Sequence, residues 1–87
     1  MALPPAAPPL QPSPAALQGV RVIEMGQLIA GPFCGKTLGE FGADVIKIEA
    51  PETGDPLRNW RLIKEGTSVW WQVQSRNKRS VALDLRQ

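Results

Sequence analysis

Residues 20–49 read VRVIEMGQLIAGPFCGKTLGEFGADVIKIE, and the order of residue types within them decides the fold. Val20, Val22, Ile23 and Met25 form a short β-rich run closed by Gly26. Gly31 is placed to cap a helix, with Pro32 at its first position, where the missing N–H costs nothing. Cys34, Leu38 and Phe41 recur at helical spacing and predict one apolar stripe along that helix. Gly42 is placed to end it in the left-handed conformation. Ala43–Ile48 predicts the next strand, with Ile46 and Ile48 on one face and Val45, Lys47 and Glu49 on the other. Strand, glycine-rich turn, helix and strand make a βαβ unit, whose strands are expected to run parallel with a right-handed crossover.

Beyond this unit, Pro51–Asn59 is turn chemistry, with two prolines, a Gly-Asp pair and an asparagine. Trp60–Gln74 fits either a buried strand or a short helix through Val69, Trp70, Trp71 and Val73, and helix is the favoured expectation. Arg76–Arg79 reads as a basic turn. Ser80–Arg86 alternates, with Val81, Leu83 and Leu85 on one face, and predicts a third strand. On the other side, Met1–Leu17 holds six prolines and no charged side chain. Proline at that density removes amide donors and blocks helix, so residues 1–17 are expected to form a disordered arm. Residues 18–87 then form the α/β part, a length too short to complete a domain that opens this way. The expectation is an incomplete domain, truncated in this chain.

Composition narrows the chemistry. One cysteine, Cys34, excludes an internal disulfide framework and a zinc cluster, and the lack of histidine removes most catalytic dyads and transition-metal sites. No metal is expected. A net charge of +2 does not call for nucleic acid. No run of 18 apolar residues exists, so no membrane span is predicted. The N-terminal segment lacks the basic region of a secretory signal, and a soluble cytoplasmic protein is expected.

Four features bear on chemistry. Gly31, Gly35 and Gly39 bare one helix face, either for tight packing on the sheet or for close approach of a cofactor or second subunit. Ala30–Thr37, AGPFCGKT, matches a relaxed phosphate-loop pattern, although Pro32 deletes an amide from the cradle and the first glycine is lost. Arg76, Lys78, Arg79 and Arg86, with Arg58 and Arg61 nearby, suggest either a solvated turn or a patch for a phosphorylated small molecule. Trp60, Trp70 and Trp71 read as packing residues, with stacking on a nucleobase as the alternative. Glu24, Glu49, Asp55 and Asp84 show no partner at catalytic spacing. A nucleotide hydrolase and a basic binding module without chemistry are the readings these features support by themselves.

The succession V-x-V-x-E, LIAGPFC, LGEFGADVIKIE, GDPLRNW and NKRSVALDL resembles the N-terminus of class III CoA-transferases, the relatives of formyl-CoA transferase and carnitine CoA-transferase, over roughly Leu17 to Gln87. The resemblance implies the N-terminal βαβ portion of a Rossmann-like large domain in an interlocked homodimer. It implies an enzyme that moves CoA between an acyl-CoA and a carboxylic acid through an aspartate nucleophile, with no catalytic residue in this chain because that aspartate lies beyond Gln87. Carried over by position, Ile29 and Ala30 would line the CoA site, and Leu83, Asp84, Leu85 and Arg86 would contact its adenine-nucleotide end. Lys78 and Arg79 are added as basic neighbours. Formyl-CoA transferases carry glutamine where Ile29 stands, which argues against formyl or oxalyl specificity. Some members place an arginine where this chain has Ala50, so a phosphate contact is expected to be missing. The α-methylacyl-CoA racemases share this opening and form the alternative.

Overall fold

A computed structural model describes residues 14–87. Three parallel strands, β1 (Arg21–Glu24), β2 (Asp44–Glu49) and β5 (Lys78–Ala82), form a sheet in the order β1-β2-β5. Register places Ile23 beside Ile46 and Ile48 beside Val81. The crossover from β1 to β2 is helix α1 (Ala30–Glu40), which packs against all three strands. A small antiparallel hairpin, β3 (Ile63–Lys64) and β4 (Thr67–Ser68), precedes helix α2 (Val69–Gln74), and a 3-10 turn covers Pro56–Asn59. The protein is thus a mixed α/β fold around a parallel sheet.

The predicted βαβ unit is present, with its helix starting slightly earlier than the proline signal indicated. Ile29 occupies the N-cap position, and Phe33 N–H donates to Ile29 O at 2.7 Å. At the other end Gly42, with φ of 104°, turns the chain out of the helix. Its N–H donates to Gly39 O at 3.1 Å, and Ala43 N–H donates to Leu38 O at 3.1 Å.

The buried face of α1 differs from the apolar stripe expected from Cys34, Leu38 and Phe41. Cys34 and Phe41 are exposed and Leu38 is half-buried, whereas Pro32, Gly35 and Gly39 face the sheet. The glycine stripe lets the helix backbone descend onto the strands. A Cβ on Gly39 would lie 3.4 Å from Asn77 and Val45, and one on Gly35 would overlap the Glu24 carboxylate. Close packing of helix on sheet, rather than approach of a ligand, therefore accounts for Gly35 and Gly39.

The sheet also reverses the usual division of faces. In β2 the inward positions are Val45, Lys47 and Glu49, all buried, while Ile46 and Ile48 are only half-covered on the opposite face. Ile23 and Val81, their neighbours in register, are exposed.

The third strand begins earlier than Ser80, because Lys78 and Arg79 join the ladder beside Val45 and Ile46. The basic turn contracts to residues 75–77. The favoured helix forms over Val69–Gln74, with Ser68 as N-cap accepting from Trp71 N–H at 3.2 Å. The hairpin before it was not anticipated. Of the predicted N-terminal arm, residues 1–13 lie outside the described residues. Leu17 N–H donates to Phe41 O at 2.8 Å, so the chain is fastened to the end of α1 just before β1.

Candidate functional site at the carboxyl edge of the sheet

All three parallel strands end on the same side, and the loops that leave them enclose a cleft of about 610 Å³. Met25 and Gln27 enter it from the loop after β1, Ala50 to Thr53 from the turn after β2, and Leu83 to Arg86 from the turn after β5. Open parallel sheets bind ligands outside the carboxyl ends of their strands, because the loops there diverge and leave room. The turn after β5 is tied to the sheet by Leu83 N–H donating to Glu49 O at 2.9 Å. Asp84 Oδ1 then accepts from Arg86 N–H at 2.9 Å and from Arg86 Nε at 3.0 Å, and Asp84 Oδ2 accepts from Arg86 Nη2 at 3.1 Å. These bonds from Arg86 hold the Asp84 carboxyl below its ordinary pKa. The guanidinium itself is 90% exposed.

Behind the cleft lies a cluster of buried charges. Lys47 Nζ contacts Glu24 Oε2 at 2.5 Å and Asp55 Oδ2 at 2.7 Å, and Lys78 Nζ contacts Glu24 Oε1 at 2.6 Å. Next to it, Glu49 takes a two-pronged bond from Arg58, Nε to Oε1 at 2.8 Å and Nη2 to Oε2 at 2.7 Å. Glu49 also accepts from Ser80 Oγ and from Asp55 N–H. The Arg58 bonds lead in pulling the Glu49 carboxyl down to about 2, against the opposing effect of burial. Burial also pushes against the charge on Lys47, yet Asp55 and Glu24 together outweigh it and hold Lys47 above its ordinary value. For Lys78 the balance is opposite: burial prevails over Glu24, and the pKa falls.

Of the residues expected to meet CoA, the structure brings Leu83, Asp84, Leu85 and Arg86 together on the cleft wall. Ile29 and Ala30 lie at the start of α1, both exposed, next to the cleft loop in sequence but outside the cleft lining. Lys78 is committed to Glu24 and to Pro32 O, at 2.8 Å. Arg79 grips Asp44 near the amino-terminal end of the sheet, with Nη2 to Oδ2 at 2.6 Å.

The expected basic patch is dispersed. Arg76 pairs with Glu40, Arg58 with Glu49 and the Trp71 ring, and Arg61 lies over the Trp60 ring. Trp60 and Trp70 meet edge to face at 5.3 Å, so these tryptophans act in packing. The phosphate-loop match is also accounted for. Ala30–Thr37 is helical from its first residue, Thr37 Oγ1 donates to Phe33 O, and Lys36 pairs with Glu40 at 3.7 Å, so no loop of free amides forms.

Sequence reasoning missed Gln27, Glu52 and Thr53 in the cleft and the partners of the buried carboxylates. The available signal was the lysine at the centre of DVIKIE, an inward position in a strand otherwise built for burial.

An α/β fold with a parallel sheet and a cleft at its carboxyl edge has the arrangement in which such sheets place their ligands. Residues 17–87 match the model of CoA-transferase family III, and the chain belongs to that family. It is 53% identical over 74 residues to a succinyl-CoA–D-citramalate CoA-transferase of Chloroflexus aurantiacus, covering 84% of this chain and 18% of that protein. It is 45% identical over 73 residues to the succinyl-CoA–L-malate CoA-transferase alpha subunit of Chloroflexus aurantiacus, covering 82% of this chain and 17% of the relative. The crystal structure of a CAIB/BAIF family protein from Brucella suis superposes with a TM-score of 0.74 at 39% identity, over 86% of this chain and 21% of that one. The chain therefore spans about a fifth or less of the length of these proteins.

Proposed function

We propose that this chain is the N-terminal part of a CoA-transferase that moves CoA between carboxylic acids, and that its cleft receives the adenine-nucleotide end of CoA. The carrying observation is the placement of Leu83–Arg86 on the wall of a cleft at the carboxyl edge of a parallel sheet, in a chain of this family. Arg86 supplies a forked donor suited to phosphate, and an incoming phosphate would compete with Asp84 for it. The names of the relatives favour succinyl-CoA as donor and a dicarboxylic acid as acceptor. The family and the named relatives favour transfer over racemisation.

The buried carboxylates Glu24, Glu49 and Asp55 are each held in ion pairs, which makes them poor nucleophiles toward an acyl-CoA. On this reading the nucleophile lies outside these residues, and the family resemblance implies that it is an aspartate. Ile29 and Ala30, beside the cleft loop in sequence, are proposed to line the CoA site outside the cleft itself. Assembly as an interlocked homodimer in the cytoplasm belongs to the same reading.

The test is transfer of CoA from succinyl-CoA to dicarboxylic acids, followed by chromatography of the thioesters. The complete polypeptide that carries this chain is expected to form a new CoA thioester, and the 87-residue chain alone to form none. Transfer by the chain alone, abolished by replacing one of its own carboxylates, would overturn the proposal.

A further inference from the structure

The loop between β1 and α1 is held from beneath by three buried charged side chains. Lys47 Nζ donates to Gly26 O at 3.3 Å, Asp55 Oδ1 accepts from Leu28 N–H at 3.1 Å, and Lys78 Nζ donates to Pro32 O at 2.8 Å. Glu24 joins the two lysines, and Asp55 joins Lys47. The loop is tightly folded: a Cβ on Gly26 would lie 2.8 Å from Gly31 Cα, and one on Gly31 would lie 2.6 Å from Gly26 Cα. Leu28 sits at φ of 62°, a left-handed conformation unfavourable for leucine that persists only where its surroundings over-determine it. Met25 and Gln27, within this same loop, face the cleft.

Buried ion pairs are a poor device for stability alone, because desolvation offsets much of their attraction. Here Lys47 and Asp55 each also spend a bond on a backbone group of the loop, and Lys78 spends one on the first turn of α1. Asp55 serves two elements at once, since its Oδ1 also accepts from Leu57 N–H at 2.9 Å and caps the 3-10 turn. Resting on the CoA-binding reading above, we propose that the Glu24–Lys47–Asp55–Lys78 cluster is a positioning device that fixes the Gly26–Pro32 backbone in the shape that admits CoA, with Asp55 setting Leu28. These are positioning residues. They touch the loop and not the substrate.

Two substitutions separate this role from simple folding. Asp55→Asn and Asp55→Ser both remove the carboxylate that pairs with Lys47, and both leave an oxygen able to cap the 3-10 turn. Only asparagine retains the length to accept from Leu28 N–H. In the complete polypeptide, amide exchange at Leu28 is expected to be faster in Asp55→Ser than in Asp55→Asn by about tenfold or more, the loss of one hydrogen bond. KM for the acyl-CoA is expected to rise further in Asp55→Ser than in Asp55→Asn, with exchange across β2 equal in the two variants. Equal Leu28 exchange, equal KM, or collapse of both variants alike would overturn the proposal and assign the cluster to folding only. A parent polypeptide without affinity for CoA would instead overturn the functional reading, and the Leu28 comparison would still decide whether Asp55 holds the loop.

Discussion

Glu49 shows how a single residue links the sheet to the cleft. Its backbone carbonyl accepts from Leu83 N–H, its carboxylate binds Arg58, Ser80 and the Asp55 amide, and it lies in the cleft lining. The folded carboxyl titrates at about 2 against an ordinary 4.5. The unfolded chain therefore binds the proton first, so this contribution is complete above about pH 4.5 and is lost as pH falls towards 2. Asp55 is also lowered, since Lys47 and the Leu57 and Leu28 amides together overcome its burial, and it acts in the same direction. Urea unfolding of the complete polypeptide is expected to show stability falling by about 1–2 kcal/mol from Glu49 over that window, allowing for the half-exposed Arg58 partner. Glu49→Gln should be less stable at pH 7 and have a flatter acid limb; an unchanged acid limb would remove Glu49 from this role. None of these partnerships was legible in the sequence. Glu24 meets Lys47 and Lys78 only after the crossover has brought distant segments side by side, and no local spacing encodes that.

At the scale of elements, legibility followed the strength of local signals. The βαβ unit was readable because Pro32 and Gly42 punctuate the helix and because DVIKIE is dense in β-branched residues. The hairpin was not, since Ile63–Lys64 and Thr67–Ser68 are too short to show a period of two. The Cys34–Leu38–Phe41 stripe was misjudged because periodicity counts apolar side chains, whereas α1 packs through Pro32 and the bare face of Gly35 and Gly39, the tight packing that the glycine spacing allowed. Gly35 receives the Glu24 carboxylate where another helix would place a leucine. Gly35→Ala is therefore expected to destabilise the protein by about 1–3 kcal/mol, since the added methyl must displace a buried, paired carboxylate. Lys36→Gln, next to it, loses a 3.7 Å pair with the exposed Glu40 and a 5.2 Å contact over the exposed Phe33 ring, and should change stability by less than about 1 kcal/mol. Thermal unfolding of the two variants measures both, and equal shifts would contradict this account of the helix face.

For the molecule as a whole, the three strands and one crossover helix suffice to build a cleft edge; the sequence predicted a third strand over Ser80–Arg86, whereas the strand ends at Ala82 and Leu83–Arg86 turn away to form the cleft wall. What the sequence could not place was the cleft itself, because its walls come from three loops whose convergence is a property of the parallel sheet. The opposite sheet face carries Ile23, Ile46, Ile48 and Val81 with partial cover among the described residues. Parallel sheets are normally covered on both faces, so this surface is suited to being buried by further structure. On the proposed function, CoA enters at the carboxyl edge. Hydrogen exchange of the complete polypeptide with and without CoA tests it most directly. Slower exchange is predicted in the turns at 25–27, 50–53 and 83–86, with α1 residues 33–40 unchanged. Protection confined to residues 31–37, elicited by magnesium and ATP and absent with CoA, would contradict it.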